Sequence, residues 1–102
     1  MRNLAMITAT FGFCLSQIAN ANVIDDLQKV AVRVIFYNLN CGHPSGLLMT
    51  TMRAIASDMS DEEYTRRSME MIVEIENGGG NKVFCQLYAP IILKLEKQIP
   101  SR

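Results

Sequence analysis

Apolar residues recur at intervals of three and four positions along this chain, and that spacing constrains its fold more than any other feature. Four segments carry the pattern, with apolar positions at Leu27, Val30, Val34, Tyr37 and Cys41; at Leu48, Met52, Ile55 and Met59; at Tyr64, Met71 and Ile75; and at Phe84, Tyr88, Ile91 and Leu95. Steps of three and four place side chains on one face of a helix. We therefore expect four helices. The β-branched residues between Val30 and Phe36 also favour a strand locally, but the pattern around them is longer than a strand.

Residues that start and stop helices separate these segments. Asn22 can cap the first helix, and Gly42 suits the left-handed position after it. Pro44 suits the first turn of the second helix. Ser60 is predicted to cap the third helix in a reciprocal capping box with Glu63.

The last connection and the last helix each contain a helix breaker. Three consecutive glycines in the segment Asn77–Asn81 predict a flexible loop, because each glycine loses much backbone entropy in a helix. Pro90 removes an amide from the fourth helix and predicts a kink or a restart there. Short connections favour antiparallel neighbours, so we expect an all-α fold, a small antiparallel four-helix bundle.

The first 21 residues resemble a secretory signal peptide. A positive start at Arg2 is followed by the apolar stretch Leu4–Leu15 and by a small-x-small cleavage site, Ala19-Asn20-Ala21. We expect cleavage before Asn22, which leaves residues 22–102 as a single helical domain. The expected location is the periplasm, with the extracellular space as the alternative.

Three other interpretations of this segment are weaker. A lipid anchor on Cys14 is disfavoured, because the large Phe13 precedes it where a small residue is needed. An uncleaved N-terminal anchor and a buried cytosolic helix remain as the other two. The apolar stretch is shorter than the roughly 20 residues that span a membrane. We therefore expect no membrane span after cleavage.

Charge excludes one class of function. Residues 22–102 carry nine Lys and Arg side chains and ten Asp and Glu side chains, a formal charge of −1. Nucleic-acid-binding domains present a basic surface to the phosphate backbone. We expect no nucleic-acid partner.

After cleavage the chain keeps two cysteines, Cys41 and Cys85. In an oxidising compartment two cysteines permit one intramolecular pairing, and we predict a Cys41–Cys85 disulfide. Neither cysteine lies in a Cys-x-x-Cys motif, so the spacing of a zinc site or of a thioredoxin-like redox site is missing.

Catalytic motifs are sparse. His43 is the only histidine, so any serine or cysteine triad would have to use it, and no Gly-x-Ser-x-Gly elbow exists. The acids of the third helix could supply a carboxylate pair, but their spacing fits i,i+4 ion pairs on a solvated face better. The predicted pairs are Glu62 with Arg66, Glu63 with Arg67 and Arg66 with Glu70. We expect no enzyme activity.

Methionine is the least ordinary residue type in the predicted domain, with Met49, Met52, Met59, Met69 and Met71. Thioethers bind Cu(I), so a copper carrier using His43 is one hypothesis. Methionine also fills gaps in apolar cores and forms adaptable binding surfaces. We favour core packing and expect no metal or cofactor. Residues Met49, Met52 and His43 are the predicted partner-binding residues.

In layout the predicted domain resembles small periplasmic acid-stress chaperones, which are exported helical domains with one disulfide. It also resembles some helical immunity proteins of type VI secretion, through the run Cys85-Gln86-Leu87-Tyr88. We expect an exported protein that binds a protein partner, as an inhibitor or immunity-type factor. The same protein could also form a homodimer. The alternative is an acid-stress chaperone.

Overall fold

The computed structural model describes residues 13–99, which form four α-helices and no strand. Their bounds are α1 Phe13–Asn40, α2 Gly46–Ser57, α3 Asp61–Asn77 and α4 Asn81–Gln98. The all-α, four-helix prediction is confirmed. Within the described range, no helix has the length and apolar character needed to cross a membrane.

Helix α1 begins earlier than expected. Residues 1–12 of the predicted signal peptide lie outside the described residues, whereas residues 13–21 belong to α1. Asn22 therefore lies inside the helix and does not cap it in the full chain. The reason is local, because residues 13–21 contain neither glycine nor proline to end a helix.

Helix α1 is the centre of the fold. Helices α2, α3 and α4 each pack against it, and α4 also packs against α3. A helix with three neighbours must bury more than one face. Val34 and Val32 accordingly face different apolar clusters, whereas Leu27, predicted on the buried face, is exposed.

The larger cluster, which we call the main core, joins α1, α2 and α4. Its buried residues are Ala31, Val34, Leu48, Met49, Met52, Tyr88 and Ile92. Leu48 and Val34 are fully enclosed. Burying an aliphatic side chain of this size contributes about 1.5–3 kcal/mol, so this cluster supplies most of the apolar stabilisation.

The smaller cluster, which we call the α3 core, joins α3 to α1. Its buried residues are Val32, Met71 and Ile75, with half-buried Phe36 and Tyr64 beside them. Phe84 of α4 packs against both clusters. Its ring meets Phe36 edge-on at 5.4 Å and stacks on Tyr88 at 5.0 Å between centroids. Phe84 thus connects the two cores.

The predicted disulfide is present. Cys41, directly after α1, is bonded to Cys85 in the first half of α4, across 44 residues of sequence. Tyr37 Oη lies beside Gly42, which follows Cys41. The covalent bond therefore ties the end of α1 to α4 at the edge of the main core.

Serine hydroxyls cap two of the helices. Ser60 Oγ accepts a hydrogen bond from the Glu63 amide at 3.1 Å, as predicted. Ser45 Oγ accepts from the Leu48 amide and caps α2, a cap that the sequence pattern did not indicate. The Ser45 amide also donates to the Glu96 carboxylate of α4 at 2.6 Å. The α1–α2 connection is thus tied to α4.

Two glycine predictions need correction. Only Gly79 and Gly80 of the described glycines have positive φ, so Gly42 does not adopt the left-handed conformation expected after α1. The predicted loop over Asn77–Asn81 is shorter than expected, because Asn77 ends α3 and Asn81 begins α4, so that only residues 78–80 connect the two helices. The amide of Gly80 donates to the carbonyl of Ile75 at 2.8 Å, which closes the end of α3 directly onto α4.

Pro90 lies inside α4, which continues as one helix to Gln98. The predicted restart is therefore wrong. Tyr88 and Ile92, on either side of the proline, are both buried in the main core. Packing of these side chains offsets the one backbone hydrogen bond that the proline removes.

Candidate binding groove between helices α1 and α3

The position of α3 on α1 depends on a buried arginine. The Arg67 side chain is only 9% exposed, and its Nη2 donates to Asp25 Oδ1 of α1 at 2.6 Å. The same nitrogen lies 3.3 Å from Gln28 Oε1. Arg67 Nε lies 2.8 Å from Glu63 Oε2, an ion pair without hydrogen-bond geometry. Arg67 thus links α3 to α1 from inside the interface.

This arrangement corrects the solvated face predicted for α3. Glu63, and not Glu62, pairs with Arg66, at 2.6 Å. The predicted Glu63–Arg67 and Arg66–Glu70 pairs are present, the second at 2.8 Å. Because Glu63 binds both arginines, it does not complete the capping box with Ser60. Sequence spacing could not show that Arg67 turns inward, since its partner Asp25 is 42 residues away.

Hydrogen bonds from arginine side chains lower the pKa of two carboxylates, Asp25 and Glu63. The hydrogen bond from Arg67 lowers the pKa of Asp25, and a weaker contribution comes from Lys29. The hydrogen bond from Arg66 lowers the pKa of Glu63. Both carboxylates are therefore held in the charged form that the arginines bind.

A second ion pair joins the same two helices. Arg33 Nη2 of α1 donates to Glu74 Oε1 of α3. Arg33 is mostly buried, whereas Glu74 is exposed. The two pairs, Arg67–Asp25 and Arg33–Glu74, therefore hold α3 along one edge of its contact with α1.

An apolar groove opens between α1 and α3. It encloses about 190 Å³ and is lined by Val32, Ile35, Phe36, Leu39, Tyr64, Ser68, Met71 and Ile72. Val32 and Met71, at its floor, are buried members of the α3 core. At its rims Leu39 of α1 is 74% exposed and Ile72 of α3 is 41% exposed. The groove thus presents apolar side chains from both helices to solvent.

A second cleft lies between α3 and α4. It encloses about 180 Å³, and its lining includes Glu74, Ile75, Val83, Phe84 and Leu87. The Arg33 side chain also lines it, so the Arg33–Glu74 pair borders the opening. Leu87, at the edge of this cleft, is strongly exposed.

The three residues predicted to bind a partner occupy different environments. Met49 and Met52 are 5% and 4% exposed and belong to the main core. His43 is exposed in the connection between α1 and α2. The structure therefore brings no surface together from these three residues.

The methionines do not form one set either. Met59 packs against the α3 core and Met71 belongs to it, whereas Met69 is exposed on α3. Among the residues that the structure describes, no group of three or more His, Cys, Asp or Glu side chains is placed to hold a metal ion. Core packing explains Met49, Met52 and Met71.

The residues that form the groove were not identified from the sequence. Phe36 and Leu39 lie three positions apart on α1, and Ser68 and Ile72 lie four apart on α3, which are helical spacings. A buried helix face has the same spacing, so the spacing could not identify these residues as the lining of a groove. Only the position of α3 shows that these residues border an open groove.

The chain matches no family model, no curated protein and no solved structure.

Proposed function

We infer that the protein is exported to the periplasm and acts by binding a protein partner, as an inhibitor or immunity-type factor. The observation that carries this proposal is the α1–α3 groove, with Leu39 and Ile72 exposed on opposite rims. Contiguous apolar surface exposed between polar residues is typical of protein-interaction sites. The signal-peptide pattern of residues 1–21 supports export.

The shape of the groove favours one kind of occupant. Two helices form its walls, and a third amphipathic helix can lie between them with apolar anchors at intervals of three or four residues. The hydroxyl-bearing residues Tyr64 and Ser68 line the α3 wall and supply polar contacts. We propose that the partner inserts an apolar face of a helix there.

Site-specific photo-crosslinking in the native cell tests this proposal. A photoreactive residue at position 39 is expected to crosslink one defined protein, which mass spectrometry identifies. The matched control is position 47, because Leu47 is also an exposed leucine but lies on α2, outside the groove. Equal crosslinking from both positions, or none from position 39, contradicts the proposal.

The purified partner then gives a quantitative measurement. Leu39→Arg places a charge on the groove rim and is expected to weaken binding by at least about tenfold, because an apolar partner bound there would bury an unpaired charge. Leu47→Arg should leave the dissociation constant unchanged. Mass spectrometry of the exported protein is expected to show Asn22 at the N-terminus, and an intact segment 1–21 contradicts export by cleavage.

The acid-stress chaperone remains a second candidate because of one observation. Both ion pairs that hold α3 on α1 use carboxylates, Asp25 and Glu74, which acid neutralises. We favour partner binding, since the disulfide and the main core hold α1, α2 and α4 together without ionised groups. At pH 2–3 a chaperone would lose its near-ultraviolet circular dichroism, bind a hydrophobic dye and suppress aggregation of an unrelated protein.

A further inference from the structure

Acidic and basic side chains are unevenly distributed between two parts of the molecule. Residues 22–33 and 58–80, which comprise α3 and the part of α1 ion-paired with it, contain nine Asp and Glu and four Lys and Arg. Residues 34–57 and 81–99, which comprise α2, α4 and the end of α1, contain one acid and four Lys and Arg. The part of the molecule built from α2 and α4 is therefore positively charged, although the whole chain is nearly neutral.

Two of these basic residues lie among exposed apolar side chains on α4. In the C-terminal half of the helix a shallow depression is lined by Pro90, Ile91, Leu93, Lys94 and Lys97, and all five are exposed. We call this surface the α4 outer face. Leu93 is 60% exposed and Ile91 is 42% exposed. A contiguous exposed patch of apolar side chains is typical of an interaction site.

No carboxylate neutralises the lysines of the α4 outer face. Among the side chains that the structure describes, neither Lys94 nor Lys97 is in an ion pair. The one acid of α4, Glu96, accepts a hydrogen bond from the Ser45 amide at 2.6 Å. That bond places the start of α2 against this half of α4, and residues 34–57 contain no acid. The positive charge of the face is therefore uncompensated.

The acidic helix α3 meets α4 at its other end. Ile75 of α3 lines a common cleft with Phe84 and Leu87, which belong to the first half of α4. Glu74 also borders that cleft, but it is ion-paired with Arg33. The α4 outer face therefore lies apart from the contact between α4 and α3.

We propose that the α4 outer face binds the surface of an anionic lipid bilayer. A helix at a membrane interface presents apolar side chains to the acyl chains and lysines to the lipid phosphates. The long aliphatic stems of Lys94 and Lys97 let their ammonium groups reach the phosphates while Ile91 and Leu93 contact the acyl region. Because no described helix can cross a membrane, α4 lies along the surface and does not insert through it.

Two features favour a bilayer over an acidic protein as the occupant. The α4 outer face is the convex side of a single helix with only a shallow depression, so it fits a flat, deformable surface better than an inserted side chain or helix. The proposed export also brings the protein into a compartment bounded by membranes, and in this respect the inference rests on the proposed function.

The bilayer site and the partner groove occupy different parts of the molecule. Residues of α1 and α3 line the groove, whereas residues of α4 line the depression on the outer face. A molecule bound to a membrane through α4 therefore keeps its groove accessible to a protein partner.

Co-sedimentation of the exported protein with lipid vesicles tests the proposal. Vesicles that contain phosphatidylglycerol are expected to bind it at least about tenfold more tightly than vesicles of phosphatidylcholine alone. Binding should weaken as the salt concentration rises, because salt screens the attraction. Each lysine near an anionic surface contributes about fivefold in affinity, so Lys94→Gln combined with Lys97→Gln should weaken binding by about 25-fold.

Two matched controls separate this face from the rest of the surface. Lys29→Gln removes the same charge as Lys94→Gln, but Lys29 is on α1 and ion-paired with Asp25, so binding should change by less than about twofold. Leu93→Gln should weaken binding by at least about threefold. Met69→Gln should leave binding unchanged, since Met69 is 63% exposed but lies on α3. Far-ultraviolet circular dichroism confirms that each variant is folded.

Several outcomes contradict the bilayer site. Equal binding to both kinds of vesicle, binding to neither, or equal losses from Lys29→Gln and Lys94→Gln would overturn it. An acidic protein is the competing occupant, and a photoreactive residue at position 93 in the native cell distinguishes the two. Crosslinks to lipid support the proposal, whereas crosslinks to a protein without lipid overturn it. Loss of vesicle binding leaves crosslinking from position 39 unaffected, so the two proposals fail separately.

Discussion

The main core joins α2 and α4 to α1 through seven buried apolar residues, whereas the α3 core joins α3 to α1 through three. A disulfide reinforces the first region. Two interhelical ion pairs, Arg67–Asp25 and Arg33–Glu74, reinforce the second. Apolar burial and a covalent bond depend little on pH, while carboxylate pairs weaken in acid. The two halves of this small molecule therefore respond to different conditions.

The position of the groove follows from that difference. The α1–α3 groove lies beside the smaller core, where fewer side chains fill the space between helices. Local opening occurs most readily in regions with few buried apolar contacts. Partner binding at the groove would therefore use the more adaptable half and leave the main core unchanged.

The largest effect is expected from a cavity in the main core. Leu48 is fully buried, so Leu48→Ala should lower the free energy of unfolding by about 2–5 kcal/mol. Urea denaturation measures this change. Leu47→Ala, the neighbouring exposed leucine, is the control and should cost less than about 1 kcal/mol. Similar losses for the two variants would contradict the assignment of the main core.

The next effect concerns the disulfide. Cys41→Ala combined with Cys85→Ala should lower the free energy of unfolding by about 2–4 kcal/mol, because the unfolded chain gains the freedom that the bond removes. Reduction of the unmodified protein should give a similar loss in urea denaturation. Two titratable thiols in oxidised, exported protein would contradict the bond.

A smaller effect is expected at the turn that joins α3 to α4. Gly79 has φ of +119°, and a β-carbon there would lie 2.8 Å from Val83 Cγ2. Gly79→Ala should therefore cost about 1–3 kcal/mol, measured by thermal unfolding. Gly46→Ala is the matched control, since Gly46 is the first residue of α2 and has open space around it. It should be neutral or stabilising by up to about 1 kcal/mol. Equal losses would show that the turn is not strained.

The smallest effect is on pH dependence. The folded-state pKa values of Asp25 and Glu63 are lowered by their arginine partners. Their stabilisation is complete above the unfolded carboxyl pKa, about 4, and is lost as the pH falls through the lower folded values. Asp25→Asn should reduce stability at pH 7 and flatten its decline toward pH 3, measured by urea denaturation.

Asp26→Asn is the control for that measurement, because Asp26 is the adjacent exposed acid on α1. It should leave the pH profile unchanged. Hydrogen exchange at pH 3 should accelerate in α3 before α2 or α4. Uniform acceleration across all four helices would contradict the difference between the two cores.

The sequence by itself determined the helices and the bond between them. Heptad spacing identified four helices, Ser60 marked the start of α3, and two cysteines in the predicted domain permitted one pairing. The helices and the Ser60 cap depend on neighbouring residues, and the disulfide follows from the number of cysteines. Apolar periodicity and capping act within a few residues, so a linear sequence contains them in full.

Only the tertiary structure decided which faces meet. Val32 and Val34 are two positions apart, yet they face different cores because α1 has three neighbours. Arg67 has the spacing of a solvated residue, but it is buried against Asp25, 42 residues earlier. The groove at Leu39 exists because α3 is held along one edge of α1 by ion pairs. Contacts between distant segments depend on how helices pack, and helical spacing alone does not specify that packing.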